Sequence, residues 1–309
     1  MDITALGRRR NLAGTKAEFE TSLVAPLGLV LPEVCAQDGV IEEARQACSM
    51  LDSLNRAWKA LPEEACAKAK QALLQEEAAC SAELSSQIPT AMDHAPLPER
   101  LSYADDGTPS HAECLPHIEE DAANIMRAME YLSWRIHDLP LSGRLVQELH
   151  GIVLDSPRYD KATPGWFRTS PVWMGDPNSP IGKAMFVAPN VEDMAAAWRA
   201  LEQQMNEEEG GTRGLASVAL EHYQFETIHP FLDGNGRTGR IVAIQSLSQR
   251  GLLERPTLPL SWAFEQDMFA YFAAFLSVQR QNDYRTWVLM FLNAVERAAK
   301  HAEELLREI

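Results

Sequence analysis

Two helical patterns flank a glycine-rich stretch, and this arrangement limits the fold more than any other feature of the chain. GLASVALEHYQFETI (214–228) places Val218, His222, Phe225 and Ile228 at helical spacing. GRIVAIQSLSQRG (239–251) carries a second helical pattern, with Gly251 in the position of a C-terminal cap. Between and overlapping them lies HPFLDGNGRTGR (229–240), which holds one histidine, one acid, three glycines and two arginines.

The flanks decide how the glycines are read. Gly234, Gly236 and Gly239 satisfy G-x-G-x-x-G, but a dinucleotide fingerprint requires a buried strand before it and a βαβ context, and a helix stands there instead. A Walker loop is excluded because no G-K-[ST] follows. A helix-turn-helix corner accounts for Gly234, Asn235 and Gly236 as chain reversal. It leaves Arg237 and Arg240 unexplained.

Helix starts favour acids, and cations there oppose the macrodipole. Two arginines three apart in a first turn therefore call for an anion between them and the free backbone amides. Glycine lets the backbone come close to such an anion. The stretch reads as an oligophosphate cradle. His229, at the end of the preceding helix, is placed to take a proton from an attacking hydroxyl. Asp233 is a hard oxygen ligand of the kind magnesium takes beside phosphates. Phe231 reads as an anchor of the loop in the core.

Helical periodicity governs most of the rest, so the expected class is all-α. Residues 41–61 repeat Ile41, Ala44, Ala47, Leu51, Leu54 and Trp58 on one face, and 61–84 follow after a Leu61-Pro62 boundary, together forming a helical hairpin. Prolines at 89, 96, 98 and 109 mark a connector, which sets expected units at 1–100, a helical extension, and 101–309, the main domain. Helix resumes near 115, with Pro116 suited to a first turn and Ile118, Ala122, Ile125, Met129 and Leu132 facing the core. Turn signals from about 155 to 190 exclude a long helix, and only KAMFVAP (183–189) resembles a strand. A long irregular stretch in a compact domain is usually functional.

A net charge of −16 argues against nucleic acid as partner, because a surface for phosphate backbones is basic. No apolar run approaches the ~20 residues of a membrane span, and no apolar region follows Arg8-Arg9-Arg10 to make a secretory signal. Cys35, Cys48, Cys66, Cys80 and Cys114 are odd in number and lack any C-x-x-C pair, which suits reduced thiols in a cytoplasmic protein.

HPFLDGNGRTGR resembles, at every defined position, the signature H-x-F-x-[DE]-G-N-G-R-x-x-R of Fic-domain proteins. PGWFRTSPVWMG is similar to that family's P-G-x-[FWY]-R loop. KAMFVAP falls where the family places its flap, a short β-hairpin over the active site. The resemblance covers about residues 100 to 300 and implies a helical core with that hairpin. It implies protein adenylyltransferase activity: AMP moves from ATP to a Ser, Thr or Tyr hydroxyl of a target protein, automodification included, and pyrophosphate leaves. His229 would then be the general base, Asp233 the Mg2+ ligand, and Gly234, Asn235, Gly236, Arg237 and Arg240 the phosphate-binding group. Lys183, Ala184, Met185, Phe186 and Val187 would dock the target by strand addition. Glycine at 236 favours AMP transfer, since phosphorylating relatives carry a bulkier basic residue there.

Many members of that family silence themselves through a helix bearing [ST]-x-x-x-E-[GN], whose glutamate pairs with the second arginine. SYADDG matches it in weakened form through Ser102, Asp106 and Gly107, with an acid one methylene short, and the alternative is an ordinary Asp-Gly turn. Other readings stay open: a different nucleotide donor, removal of AMP, or a module that only senses nucleotide. A homodimer through the N-terminal hairpin is also open.

Overall fold

The computed structural model describes residues 8–11, 18–21, 33–87, 111–136, 138–174, 184–207 and 209–309. Its centre is a pair of helices, α6 (Gly211–Ile228) and α7 (Asn235–Gln249), which meet at the loop 229–234. Both are buried nearly all round, α6 from Gly214 to Ile228 and α7 over most of Asn235 to Leu247. A helix buried on every side is enclosed by others, and its polar side chains must find partners inside the protein. At Gly239 a Cβ would stand 2.8 Å from Phe225 Cδ1 and 2.6 Å from Glu226 Oε1, so only glycine allows the two backbones this approach.

The enclosing helices follow their apolar stripes. α1 (Asp38–Ala60) buries Val40, Ala44, Ala47, Leu51, Leu54 and Trp58, and packs chiefly on α10 (Tyr284–Glu308). α10 contributes Trp287, Val288, Phe291, Leu292 and Val295 to the core, and its Trp287 Nε1 donates to the Ala219 carbonyl of α6 at 2.6 Å. Each fully buried side chain of Leu or Phe size stabilises the fold by about 1.5–3 kcal/mol. α2 (Glu63–Ser86) runs against α3 (His111–Arg135), α7 and α8 (Leu260–Gln266). One continuous hydrophobic cluster therefore includes α1, α2 and the helices after residue 140.

Local signals fix the shorter elements. α4 (Gly143–Val153) is capped by Ser142 Oγ, α5 (Val191–Met205) by Asn190 Oδ1, α9 (Met268–Gln281) by Asp267 and α10 by Asp283. Gly251 ends α7 at φ 68, as its place in the sequence predicts. α3 begins at His111 rather than at Pro116, so that proline lies inside the helix, and α4 has too short a stripe to stand out in the sequence.

The stretch 155–190 contains a 3-10 turn (Pro157–Ala162) and an antiparallel hairpin. Its strands β3 (Trp173–Met174) and β4 (Phe186–Val187) pair Trp173 with Val187 and Met174 with Phe186. A separate antiparallel pair is formed by β1 (Arg8–Asn11) and β2 (Glu18–Thr21). Among the described residues, Cys35, Cys48, Cys66 and Cys80 are free thiols, and no helix is long and apolar enough to cross a membrane. Ser102, Asp106, Gly107, Cys114's side chain and Lys183 lie outside what is described.

Candidate active site

The loop between α6 and α7 is built to hold His229 at a reversal of the chain. His229 is the C-cap of α6 in the left-handed conformation, φ 47. That conformation is costly for a residue with a Cβ, and persists where surrounding bonds impose it. Here they come from Arg168. Its buried guanidinium donates to the carbonyls of His229 (Nε, 2.7 Å), Ser170 (Nη1, 3.1 Å), Pro189 (Nη2, 2.6 Å) and Ile228 (Nη2, 3.3 Å). The Arg168 backbone N–H adds a bond to Pro230 O at 2.8 Å. Burial lowers the Arg168 pKa to about 10, so it remains a cation at neutral pH.

The rest of the loop is closed from inside. Asn235 accepts from the Phe231 N–H through Oδ1 and donates to the Phe231 carbonyl through Nδ2, both at 2.9 Å. Phe231 is fully buried and stacks on His150, with centroids 3.7 Å apart and planes 4° off parallel. His150 Nδ1 accepts from Gly165 N–H at 2.9 Å, which leaves Nε2 as the donor to Asp233 O at 2.9 Å. Burial pushes this imidazole down to about 4, consistent with a neutral ring. Gly234 follows at φ 74, where a Cβ would press on Leu154 and the His150 ring.

His229 has a defined tautomer. Its Nδ1 lies 3.1 Å from the Glu226 carbonyl, an acceptor only, so Nδ1 carries the proton and Nε2 keeps its lone pair. Desolvation pushes this imidazole down to about 4, against the hydrogen bond to Glu226 O, which favours the charged ring.

The two arginines near the start of α7 meet different surroundings. Arg237 is buried. Its Nη1 lies 3.0 Å from Asp121 Oδ2 of α3 and donates to Tyr159 OH at 2.7 Å, while Nη2 lies 3.1 Å from Asp233 Oδ1. Arg240, also buried, reaches across to α2: Nε donates to Ser81 Oγ at 3.0 Å, and Nη2 to Ser81 O at 2.8 Å and Ser85 Oγ at 2.7 Å. Its partners there are neutral. Two buried carboxyls nearby, Glu77 and Glu226, are pushed up to about 7 by burial, with the Arg240 charge working against the rise.

The Fic/DOC family model matches residues 140–247. Residues 140–247 are a Fic/DOC domain. The chain is similar to proteins named "Protein adenylyltransferase Fic" from Drosophila grimshawi and Drosophila melanogaster, 28% identical in each case over 172 residues, or 55% of this chain. Those 172 residues cover 32% and 31% of these curated relatives, so the chain spans about a third of their length. Its fold is that of a Fic family protein from Desulfovibrio desulfuricans G20, at TM-score 0.61 and 17% identity, covering 86% of this chain and 74% of that one. It is also that of a Fic-domain signalling protein from Bacteroides thetaiotaomicron VPI-5482, at TM-score 0.57 and 17% identity, covering 85% and 98%. The all-α architecture with a short hairpin, expected from the sequence, is the Fic fold.

In the Fic domain of this chain, His229, Asp233, Gly234, Asn235, Gly236, Arg237 and Arg240 lie on one loop and the first two turns of α7. Asn235 acts through its side chain as the internal clasp of the loop, in addition to whatever its amide binds. Of the flap residues, Ala184, Met185, Phe186 and Val187 lie on the second arm of the hairpin, with Phe186 and Val187 buried.

Three residues around the motif were not singled out by sequence reasoning: Arg168, Asp121 and Tyr159. Arg168 belongs to the PGWFR loop, which carried a resemblance but no role. Asp121 had a signal, since an acid three after Ile118 and four before Ile125 stands on the apolar stripe of α3. Tyr159 had none. For Arg240 the sequence offered Asp106 as partner, which lies outside the described residues, and the partners on α2 are Ser81 and Ser85, four apart. That is the spacing of hydroxyl and glutamate in the inhibitory motif, with serine in the glutamate's place.

Proposed function

We propose that this protein transfers AMP from ATP to a hydroxyl side chain of a protein target. The observation that carries the reading is His229, whose Nδ1–H is committed to Glu226 O, so that a bare Nε2 stands beside a helix start bearing two arginines. The target hydroxyl oxygen forms a bond to the α-phosphorus, the bond to pyrophosphate breaks, and the hydroxyl proton passes to His229 Nε2. Arg237, Arg240 and the free N–H groups of Asn235 and Gly236 hold and neutralise the phosphates. Gly236 keeps the cradle clear, because a Cβ there would stand 3.0 Å from Arg240 Nη1.

The residues present fit a magnesium ion shared with substrate. Among the described residues no group of three or more His, Cys, Asp or Glu forms a closed cage. Magnesium beside nucleotides commonly uses one or two carboxylates and the phosphates themselves, and Asp233 is an exposed carboxylate at the mouth of the cradle. Such an ion, when bound, draws charge from the phosphate oxygens.

The flap supports docking of the target by strand addition. Phe186 and Val187 turn their side chains into the protein, which leaves the backbone as the recognising element. The same logic permits self-modification by a hydroxyl of a second copy.

ATP labelled at the α- or the γ-phosphate, incubated with the protein alone and with lysate, tests the reading. Transfer of α-label that His229→Ala abolishes is the expected result. Transfer of γ-label instead means phosphorylation, and no transfer with intact nucleotide binding means a sensor; either result overturns AMP transfer.

A further inference from the structure

We propose that Asp121 and Tyr159 are positioning residues: they hold Arg237 by Nη1 so that its guanidinium keeps its place when Asp233 turns to a bound cation. The inference deepens the reading above and rests on it only in that Arg237 meets a phosphate.

Neither residue lies in the glycine-rich stretch, and they arrive from separate elements. Asp121 is on α3 and Tyr159 is in the 3-10 turn Pro157–Ala162. They are fastened to each other before they touch Arg237. Tyr159 OH donates toward Asp121 Oδ2 at 2.9 Å, with Oδ1 at 3.1 Å. Arg158 then closes the far side: its Nη2 pairs with Asp121 Oδ1 and donates to Tyr159 OH at 2.8 Å. Both guanidinium carbons lie near the Tyr159 ring, Arg158 Cζ at 4.4 Å and Arg237 Cζ at 5.0 Å from its centroid.

The two carboxylates on Arg237 are therefore unlike. Asp121 is 9% exposed and committed through both oxygens. Asp233 is exposed and joined to Arg237 by one contact at 3.1 Å. A buried charge pair fixed by further hydrogen bonds resists disruption, whereas an exposed one is weak and exchanges readily. Asp233 is the partner that can leave, and Asp121 the one that stays. Arg237 is also not saturated by the protein, because its buried Nε has no hydrogen-bond partner. With Asp121 absent, Arg237 would have Asp233 as its one carboxylate and would compete with a cation for it. The network thus separates two tasks, an anchored arginine for phosphate and an exposed carboxylate for the ion, whose Oδ1 also accepts from the Gly234 N–H at 2.5 Å.

Binding measured without turnover tests this. ATP and inorganic pyrophosphate are titrated calorimetrically into a His229→Ala parent, and into the same parent carrying Asp121→Asn or Tyr159→Phe. Asp121→Asn is expected to weaken both probes about tenfold, and Tyr159→Phe about threefold. The magnesium concentration at half-maximal ATP binding is expected to rise severalfold in Asp121→Asn, a shift that a role in packing alone would not produce. Unchanged or tighter binding of both probes would overturn the inference and leave Asp121 as a competing anion only. Should Asp121→Asn fail to fold by circular dichroism, Tyr159→Phe, which keeps the ring, decides on the same criterion. A native protein that transfers no α-label, with pyrophosphate affinity still lost in Asp121→Asn, defeats AMP transfer but leaves the positioning role standing. A parent that binds neither probe overturns both.

Discussion

Arg168 donates from Nε to the carbonyl of His229 at 2.7 Å and from Nη2 to that of Pro189 at 2.6 Å. One side chain thus ties the exit of the flap to the residue proposed as base. Arg168→Met leaves four carbonyls without their donor in a buried place, and a cost of about 2–4 kcal/mol is expected. Transfer should fall by about two orders of magnitude, since a displaced base loses its alignment. Arg168→Lys, with one donor centre in place of three, should recover only part of either loss. Urea midpoints and initial rates of label transfer check this, and full activity in Arg168→Met contradicts it.

The acid limb of the reaction follows from His229. Desolvation holds its pKa at about 4, below the ordinary 6.5, so the base form persists through the neutral range and is lost only as pH falls toward that value. Initial rates at low substrate from pH 4.5 to 8 should show no His229 midpoint between 6 and 7. A midpoint there, removed by no other substitution, speaks against this environment for the ring.

Serine at 85 leaves Arg240 with neutral partners on α2. Ser85→Glu would set a carboxylate beside that guanidinium and occupy the donors that phosphate needs. Label transfer is expected to drop at least about tenfold, with thermal stability unchanged or raised. Equal rates in Ser85→Glu and native protein mean that Arg240 is not reached by phosphate from that side.

Glu226 is buried, its Oε1 has no hydrogen-bond partner, and burial pushes the carboxyl up to about 7. Since this lies above the unfolded value of 4.5, the folded state binds the extra proton between about 4.5 and about 7, and stability is lost as pH rises through that window. Glu226→Gln removes the titration. Between pH 5 and 8 the native protein should lose on the order of 2–3 kcal/mol relative to this variant. Urea unfolding at pH 5, 6.5 and 8 measures the difference, and a constant offset contradicts it.

The helices and the anchoring of the loop were legible in the sequence because both are local. A stripe such as Ala44, Ala47, Leu51, Leu54 and Trp58 needs only its own spacing to be read, although its first buried member is Val40 rather than the expected Ile41, and Phe231 was expected as an anchor of the loop in the core. What lies opposite the arginines was not legible. Ser81 stands 159 residues from Arg240, and Tyr159 stands 78 from Arg237, so those contacts are set by helix packing rather than by local pattern. Asp106, offered as a partner of Arg240 by resemblance in sequence, lies outside the described residues. The partners that Arg240 has in space carry hydroxyls, which look like any surface of a helix.

The single hydrophobic cluster that joins α1 and α2 to the later helices bears on where the working unit can be cut. A fragment trimmed to 140–247 would retain both arginines and His229 yet lack Asp121, Ser81 and Ser85. It would also expose the faces of α6 and α7 that Trp287 and its neighbours cover. For grafting, for truncation or for comparison among relatives, the inheritable module is the motif together with the distant helices that hold its charges.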